Sequence, residues 1–479
     1  MQSIDQKTYL SVVDQKLYAI RKLTKDLQRA LPSQVSAQFI RALVLITSAV
    51  ETFLLFRVNY LRATLGADPA ELEVQIAFNA RVALRILGTI HQQYLPLLHA
   101  GSRHNEYLVY PSIDRAVKLF TSEVELTLIP DFEYNYAFVG IETFALREID
   151  KLEKHSDQAT QAALAGVKKD AAAIKRWITF LHFPMADRDS ALSLCILAHE
   201  LAHLVDKHMG LYQELIPKEL DKDSFERLVA ARRSSPVQTG PGGPQLTLET
   251  LFTKAWVENQ CYLACTQMLE NWVREIIADI LAVHAIGPAC YFAFNDFFAY
   301  MGSENRSSRT HPPAAFRLLG MLDELKDMGY MISSEMVDIA LTAGLQRVTS
   351  DATHLKYAEE AEVVQKTIQT NQTDLLAKIR KVTSKYSFGA SRYQDSVPTV
   401  LNRLKAGIAP IEFYDEKSDV MRPASVRAIL NAGWELYKTD LTSFYANFKA
   451  GGEELERLDN LNQLLFKAVE ASEVKRQWR

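Results

Sequence analysis

Apolar residues recur at three- and four-residue spacing through the first hundred positions. Tyr9, Val12, Val13, Leu17, Ile20 and Leu23 begin the pattern, and runs from Leu43 to Val58 and from Leu72 to Leu87 continue it. That period lines one face of a helix, so residues 1–104 read as an N-terminal helical domain. Between about 105 and 145 the pattern changes. Tyr107–Tyr110, Val124–Ile129 and Tyr134–Val139 are rich in β-branched and aromatic residues, with Pro, Asp or Gly close by. Such segments predict a small antiparallel sheet. Helix returns from Ile141 to Leu181, and Asp187, Asp189 and Ser190 then offer N-caps for an apolar helix entered at Leu192, with Gly210 as its stop. The one low-complexity break is the Pro/Gly-rich stretch at 234–244, readable as a surface linker or as a mobile lid. Beyond residue 350 helix dominates again, through Leu375–Tyr386, Val400–Leu404 and Ile429 to the end, where Glu453–Leu458 and Lys475-Arg476 suggest a solvated amphipathic helix. The fold class expected is mainly α, of the α+β type, with a core at 105–350 that carries a small antiparallel sheet. Helical domains at 1–104 and 351–479 flank it.

Three short motifs carry candidate chemistry. His199-Glu200-Leu201-Ala202-His203 lies in the apolar helix, and residues four apart share a helix face. Both imidazoles then point the same way, as two zinc ligands must, with a glutamate beside them to handle a proton. The ordinary reading is a pair of core histidines satisfied by hydrogen bonds. A second motif, Trp272–Ala282, places Glu275 and Asp279 on one face of a largely apolar run. Buried carboxylates are costly unless paired or bound to metal. Glu275 could supply a third zinc ligand, and Asp279 could accept the second N–H of a ligating histidine. Two acids bonded to Arg or backbone N–H groups would also explain it. The third motif is Thr310-His311-Pro312-Pro313, followed by Arg317. Pro after His311 presents the ring from a loop ahead of a new helix. His311 or Arg317 could there stabilise a developing oxyanion, or the motif could be simple helix-start chemistry.

The order His-Glu-x-x-His, Glu-x-x-x-Asp, His-Pro-x-x-x-x-Arg resembles the gluzincin metallopeptidases. Within them it is most similar to the branch of the CAAX prenyl endopeptidases and the bacterial heat-shock peptidase HtpX. The resemblance is confined to motifs between Ser190 and about Leu322. It implies that His199, His203 and Glu275 bind Zn2+, that Glu200 is the general base, and that Asp279 steadies a ligand. It further implies that His311 and Arg317 hold the substrate or transition state. Relatives in that branch are commonly integral membrane proteins, whereas no convincing span is read here. Ala42–Phe56 is interrupted by Glu51, and Ile280–Phe294 is short and contains His284 and Gly287-Pro288.

Composition fits a globular enzyme: 479 residues, 48% hydrophobic, 23% charged, net charge -4. That charge gives no reason to expect nucleic acid as partner, and the first residues lack a secretory pattern, so a cytoplasmic protein is the default expectation. Cys195, Cys261, Cys265 and Cys290 read as buried apolar side chains. The sequence therefore predicts a zinc metallopeptidase cleaving a protein or peptide substrate, with helical domains open to a regulatory partner. An edge strand such as Val124–Ile129 would bind the substrate backbone. The rival readings are a catalytically silent interaction protein on the same fold, against which the intact Glu200 argues, and a zinc hydrolase of a non-peptide amide or ester.

Overall fold

The structure, a computed structural model, describes residues 37–65, 69–90, 124–131, 137–140, 144–174, 177–184, 189–237, 246–301, 308–331, 357–384, 386–415, 419–441 and 454–478, with isolated positions elsewhere. These residues are mainly helical with small sheets, as an α+β reading requires. They fold as two compact units that part between residues 188 and 189.

The first unit contains α1 (Ala37–Leu65), α2 (Pro69–Thr89), β1 (Val124–Asp131), β2 (Ala137–Gly140), α3 (Phe144–Glu153), α4 (Gln158–Ala172) and β3 (Trp177–Pro184). Phe39, Leu43, Ile46, Val50 and Phe53 form one face of α1, packed with Ala80, Ala83 and Leu87 of α2 and Ile149 and Leu152 of α3. Both apolar runs of the sequence thus become core helices. Within α1, Phe39–Thr64 is long and apolar enough to cross a membrane by length and composition, and 56% of its most apolar window is buried inside the protein. The stretch is longer than the Ala42–Phe56 read from sequence, because Glu51 does not end it; that carboxylate is ion-paired with Arg21.

The sheet of this unit corrects two expectations. Its strand order is β1-β3-β2, with β1 parallel to β3 and β2 antiparallel to it. Helices α3 and α4 lie in the connection from β1 to β3, and such a crossover lets a strand return in the same direction. The helix expected to run to Leu181 stops at Ala172, since the β-forming Trp177–Pro184 pairs along its length with β1 and, at residues 179–182, with β2 on its other edge. Val124–Ile129 does form an edge strand, in a different unit from the three motifs. Tyr107–Tyr110 and Tyr134–Tyr136 fall outside the described residues.

In the second unit a 3-10 turn, Ser193–Ile196, precedes α5 (Leu197–Met209). Ser190 accepts from the Ser193 N–H at 3.2 Å, so it caps this turn and not the α-helix itself. Gly210 ends α5 at φ +66°, a conformation that suits glycine. Then follow α6 (Leu211–Leu215), α7 (Lys222–Ser234), the antiparallel pair β4 (Pro236–Val237) and β5 (Leu246–Thr247), and α8 (Leu248–Leu251). The strand pair closes the base of the Pro/Gly stretch; residues 238–245 lie outside the described part.

The longest element is α9 (Lys254–Ile286), 33 residues. From Trp272 onward it is buried on nearly every side, which is why its sequence is apolar with few breaks. Cys261, Cys265, Met268, Leu269 and Trp272 pack with Ala202 and Val205 of α5, and with Val364, Ile368 and Leu375 of α12 (Ala358–Thr383). All four cysteines are free and buried. Between these come α10 (Pro288–Met301) and α11 (Ala314–Asp327). The 351–479 segment is no separate body, because α12 completes the core around α9. Gly287, at φ +91°, breaks α9 from α10, and a Cβ there would stand 3.1 Å from the Tyr330 hydroxyl.

The remaining elements are α13 (Ala390–Lys405), the antiparallel hairpin β6 (Glu412–Asp415) and β7 (Val420–Pro423), α14 (Val426–Thr439) and α15 (Glu454–Gln477). Helix α15 is not simply solvated: Leu461, Leu465, Phe466, Ala468 and Val469 are buried. The hairpin interrupts a segment in which the sequence pattern predicts helix and loop.

A buried clasp joins three helices behind the site. Glu324 of α11 bonds His284 Nε2 of α9 at 2.8 Å and receives Arg380 Nε and Nη2 of α12 at 2.8 and 2.6 Å. Burial alone would raise this carboxyl, but His284 and Arg380 outweigh it and hold it below its ordinary value. A group with a depressed folded value contributes stability above its unfolded value, about pH 4.3, and loses it as pH falls through the folded one. Urea midpoints measured from about pH 6 down to about pH 3 should fall more steeply in the native protein than in Glu324→Gln. Equal slopes would mean that the clasp adds no acid-sensitive stability.

Candidate metal centre

Helices α5 and α9 cross where the first two motifs lie. The four-residue repeat of α5 puts His199 and His203 on the face that meets α9, with ring centroids 4.5 Å apart and Nε2 atoms 3.0 Å apart. From α9, Glu275 places Oε2 3.4 Å from His199 Nε2 and Oε1 3.2 Å from His203 Nε2. One ligand atom from each of these three residues therefore shares a single small region. A tetrahedral zinc with nitrogen ligands at about 2.0–2.1 Å spaces its ligand atoms about 3.3–3.4 Å apart. The two Nε2 atoms stand 3.0 Å apart, somewhat closer than that figure, and Glu275 meets them with different oxygens, at 3.2 and 3.4 Å. Buried Glu275 Oε2 also accepts no hydrogen bond, although Arg317 Nη1 lies 3.1 Å away. The donor set is the nitrogen and carboxylate mixture that zinc takes.

One turn further along α9, Asp279 faces the back of the same imidazole. Its Oδ1 is 2.9 Å from His199 Nδ1, so an Nδ1–H donated to it leaves the Nε2 lone pair turned toward His203 and Glu275. Arg317 of α11 secures both acids. Its Nε donates to Asp279 Oδ2 at 2.8 Å and its Nη2 to Asp279 Oδ1 at 2.6 Å. Phe294 and Phe298 of α10 enclose the guanidinium, each ring centroid 5.2–5.3 Å from Cζ. Phe294 also meets His199 edge-on at 5.1 Å. The Arg317 side chain is only 5% exposed and directed at carboxylates. It is placed to position Glu275 and Asp279 and not to reach an oxyanion.

His311 sits differently. Its side chain is 57% exposed, with Nε2 3.7 Å from Glu275 Oε1. The loop that presents it is pinned to α9: Trp272 Nε1 donates to Ser308 O at 3.0 Å and Asn271 Nδ2 to Arg309 O at 3.1 Å. Those residues precede Glu275 by one turn, which sets the ring at the open side of the cluster. Ser308 Oγ accepts the His311 N–H at 2.9 Å, and Thr310 Oγ1 holds Nδ1 at 2.9 Å.

The charges follow from this packing. Burial would raise Glu275, but Arg317 and the two histidines hold it well below the usual carboxylate range. Asp279 is likewise kept low against burial, by Arg317 and His199. Burial would lower His199, yet Asp279 and Glu275 bring it up to about 9. Glu200 goes the other way: burial raises its carboxyl more than the nearby histidines and Arg317 lower it. A carboxylate moved upward toward neutrality is better matched to accepting and returning a proton. Partial enclosure lowers His311, favouring its neutral ring.

All seven residues singled out from the sequence are thus in one unit and in one cluster of interactions. The aromatic wall of Phe294 and Phe298 and the Trp272 and Asn271 anchors carry no motif that would single them out in the sequence. Asp279→Ala should lower zinc affinity about 10- to 100-fold, because the imidazole loses the partner that orients it. Chelator competition would measure this, and unchanged affinity would place Asp279 outside the metal's influence. No family model, curated protein or solved structure matches this chain, so the functional reading rests on the site itself.

Proposed function

We propose that the chain is a zinc-dependent endopeptidase acting on a protein or peptide substrate. The observation that carries this reading is the convergence of His199 Nε2, His203 Nε2 and the Glu275 carboxylate at 3.0–3.4 Å, with Glu200 in the same turn of α5 as His199. A zinc ion held there would polarise the scissile carbonyl and acidify a water molecule. Glu200 takes that water's proton and returns it to the departing nitrogen. His311, on the open side, donates its ring N–H to the oxygen that gains charge as the carbonyl is attacked. Asp279 and Arg317 keep His199 and Glu275 from rotating. The helices beyond the site offer surface for a regulatory partner.

A second reading has its own observation. The 3.0 Å separation of the two Nε2 atoms is also a hydrogen-bond distance, and Arg317 is ion-paired with both acids. A metal-free, catalytically silent protein could be held together by the same contacts.

Elemental analysis separates the two. The native chain should carry one zinc, absent from the His199→Ala/His203→Ala double variant, whereas no zinc in either after metal loading would favour the silent protein. Glu200→Gln should keep the zinc and lose peptide hydrolysis by several orders of magnitude, since the ligands stay while the base goes. Loss of metal in that variant would assign Glu200 a structural role. His311→Ala should reduce kcat about 100-fold with zinc content unchanged; kinetics like the native enzyme's would reduce His311 to a helix-start residue.

A further inference from the structure

A second cavity lies apart from the metal cluster, among α13, the β6–β7 hairpin and the start of α14. Its volume is about 390 Å³. Three arginines from three elements line it: Arg392 of α13, Arg422 of β7 and Arg427 of α14. Among the described residues, Arg422 is the one of the three with an ion-pair partner, Asp415 at 2.6 Å. Arg427 has no carboxylate partner among the described residues. Its Nη1 donates to the Tyr386 and Ala285 carbonyls, at 2.9 and 3.5 Å, which leaves Nε and Nη2 without an acceptor there. Burial disfavours its protonation most, and the positive charges of Arg392 and Arg476 add to that. Arginines gathered in a partly enclosed space are normally paired with acids, since desolvated like charges repel. The Ser425 side chain caps α14 here, so the positive end of a 14-residue helix faces the same region. Arg427 lies over the Phe388 ring at 5.3 Å, and Phe413 supplies a second aromatic wall.

We infer that this cavity binds a small organic phosphate, with the phosphate on Arg392 and Arg427 and its apolar or aromatic part against Phe388 and Phe413. Arginine's planar fork matches phosphate oxygens, and 390 Å³ is within the range of small-molecule sites. None of the lining residues belongs to the zinc site.

Calorimetric titration of the full-length chain at low ionic strength tests it, with AMP and phenyl phosphate as probes and adenosine and inorganic pyrophosphate as controls. At least one organic phosphate should bind saturably, and adenosine should bind about tenfold more weakly than AMP if AMP is the one that binds. Arg392→Gln and Arg427→Gln should each weaken that binding about tenfold. Arg392 is exposed, so its variant keeps the test decisive even if Arg427→Gln disturbs the fold. Binding of neither organic phosphate, or binding that ignores both substitutions, would overturn the assignment. Pyrophosphate binding as tightly as the organic probes would overturn the role given to the aromatic walls.

Discussion

The Arg317 guanidinium, shared between Asp279 and Glu275, is the contact on which the rest of the site depends. A carboxylate buried alone in an apolar helix would sooner take up a proton than keep its charge. Here two sit one turn apart on α9, and both stay ionised because one cation from α11 lies against them. Removing one member of such a buried set costs about 3–5 kcal/mol, chiefly through the charge left behind. The guanidinium is itself stabilised by Phe294 and Phe298, whose ring faces attract it while keeping water away. The aromatic residues of α10 therefore act on His199 both directly, through Phe294, and through Arg317 and the acids.

Precision in the cluster comes from using helices for nearly every part. α5 presents His199, Glu200 and His203, and α9 presents Trp272, Glu275 and Asp279 at three- and four-residue steps. Side chains at these steps cannot drift relative to one another without bending a helix, and α9 is clamped along its length by α5, α11 and α12. His311 is the exception, being on a loop. Two hydrogen bonds from α9 to that loop replace the missing helical constraint, and they leave its ring open on one side.

Legibility in the sequence followed how local the cause was. The His199–His203 pairing and the Glu275–Asp279 pairing are consequences of helical period alone, so spacing sufficed to read them. Free cysteines, Gly210 as a helix stop and the core helices α1 and α2 were equally local. What failed required knowledge of distant partners. Trp177–Pro184 extends because strands from 124–131 and 137–140 pair with it on both sides, and parallel pairing leaves no mark in a period-2 pattern. Arg317 read as a substrate-facing residue because its position after His-Pro is all that the sequence shows. That it turns inward depends on acids 38 and 42 residues earlier. The boundary expected near residue 350 failed for the same reason, since α12 finds its partner in α9.

The charge count gives the cluster its chemical direction. Glu275 and Asp279 bring two negative charges against the single positive charge of Arg317, and the same two acids hold His199 toward its protonated form. His199 therefore supplies the second positive charge of the cluster, and a dication at its Nε2 would have to displace that proton. Arg317 thus serves two ends. It lowers the repulsion enough for the two acids to stay ionised side by side, yet leaves one negative charge to be met by the His199 proton or by a cation in its place. A second arginine would have met the remaining charge permanently and made the site a structural salt-bridge network. The cluster instead meets it with a proton on His199, at a place where His199, His203 and Glu275 each bring a ligand atom within 4.8 Å of the others.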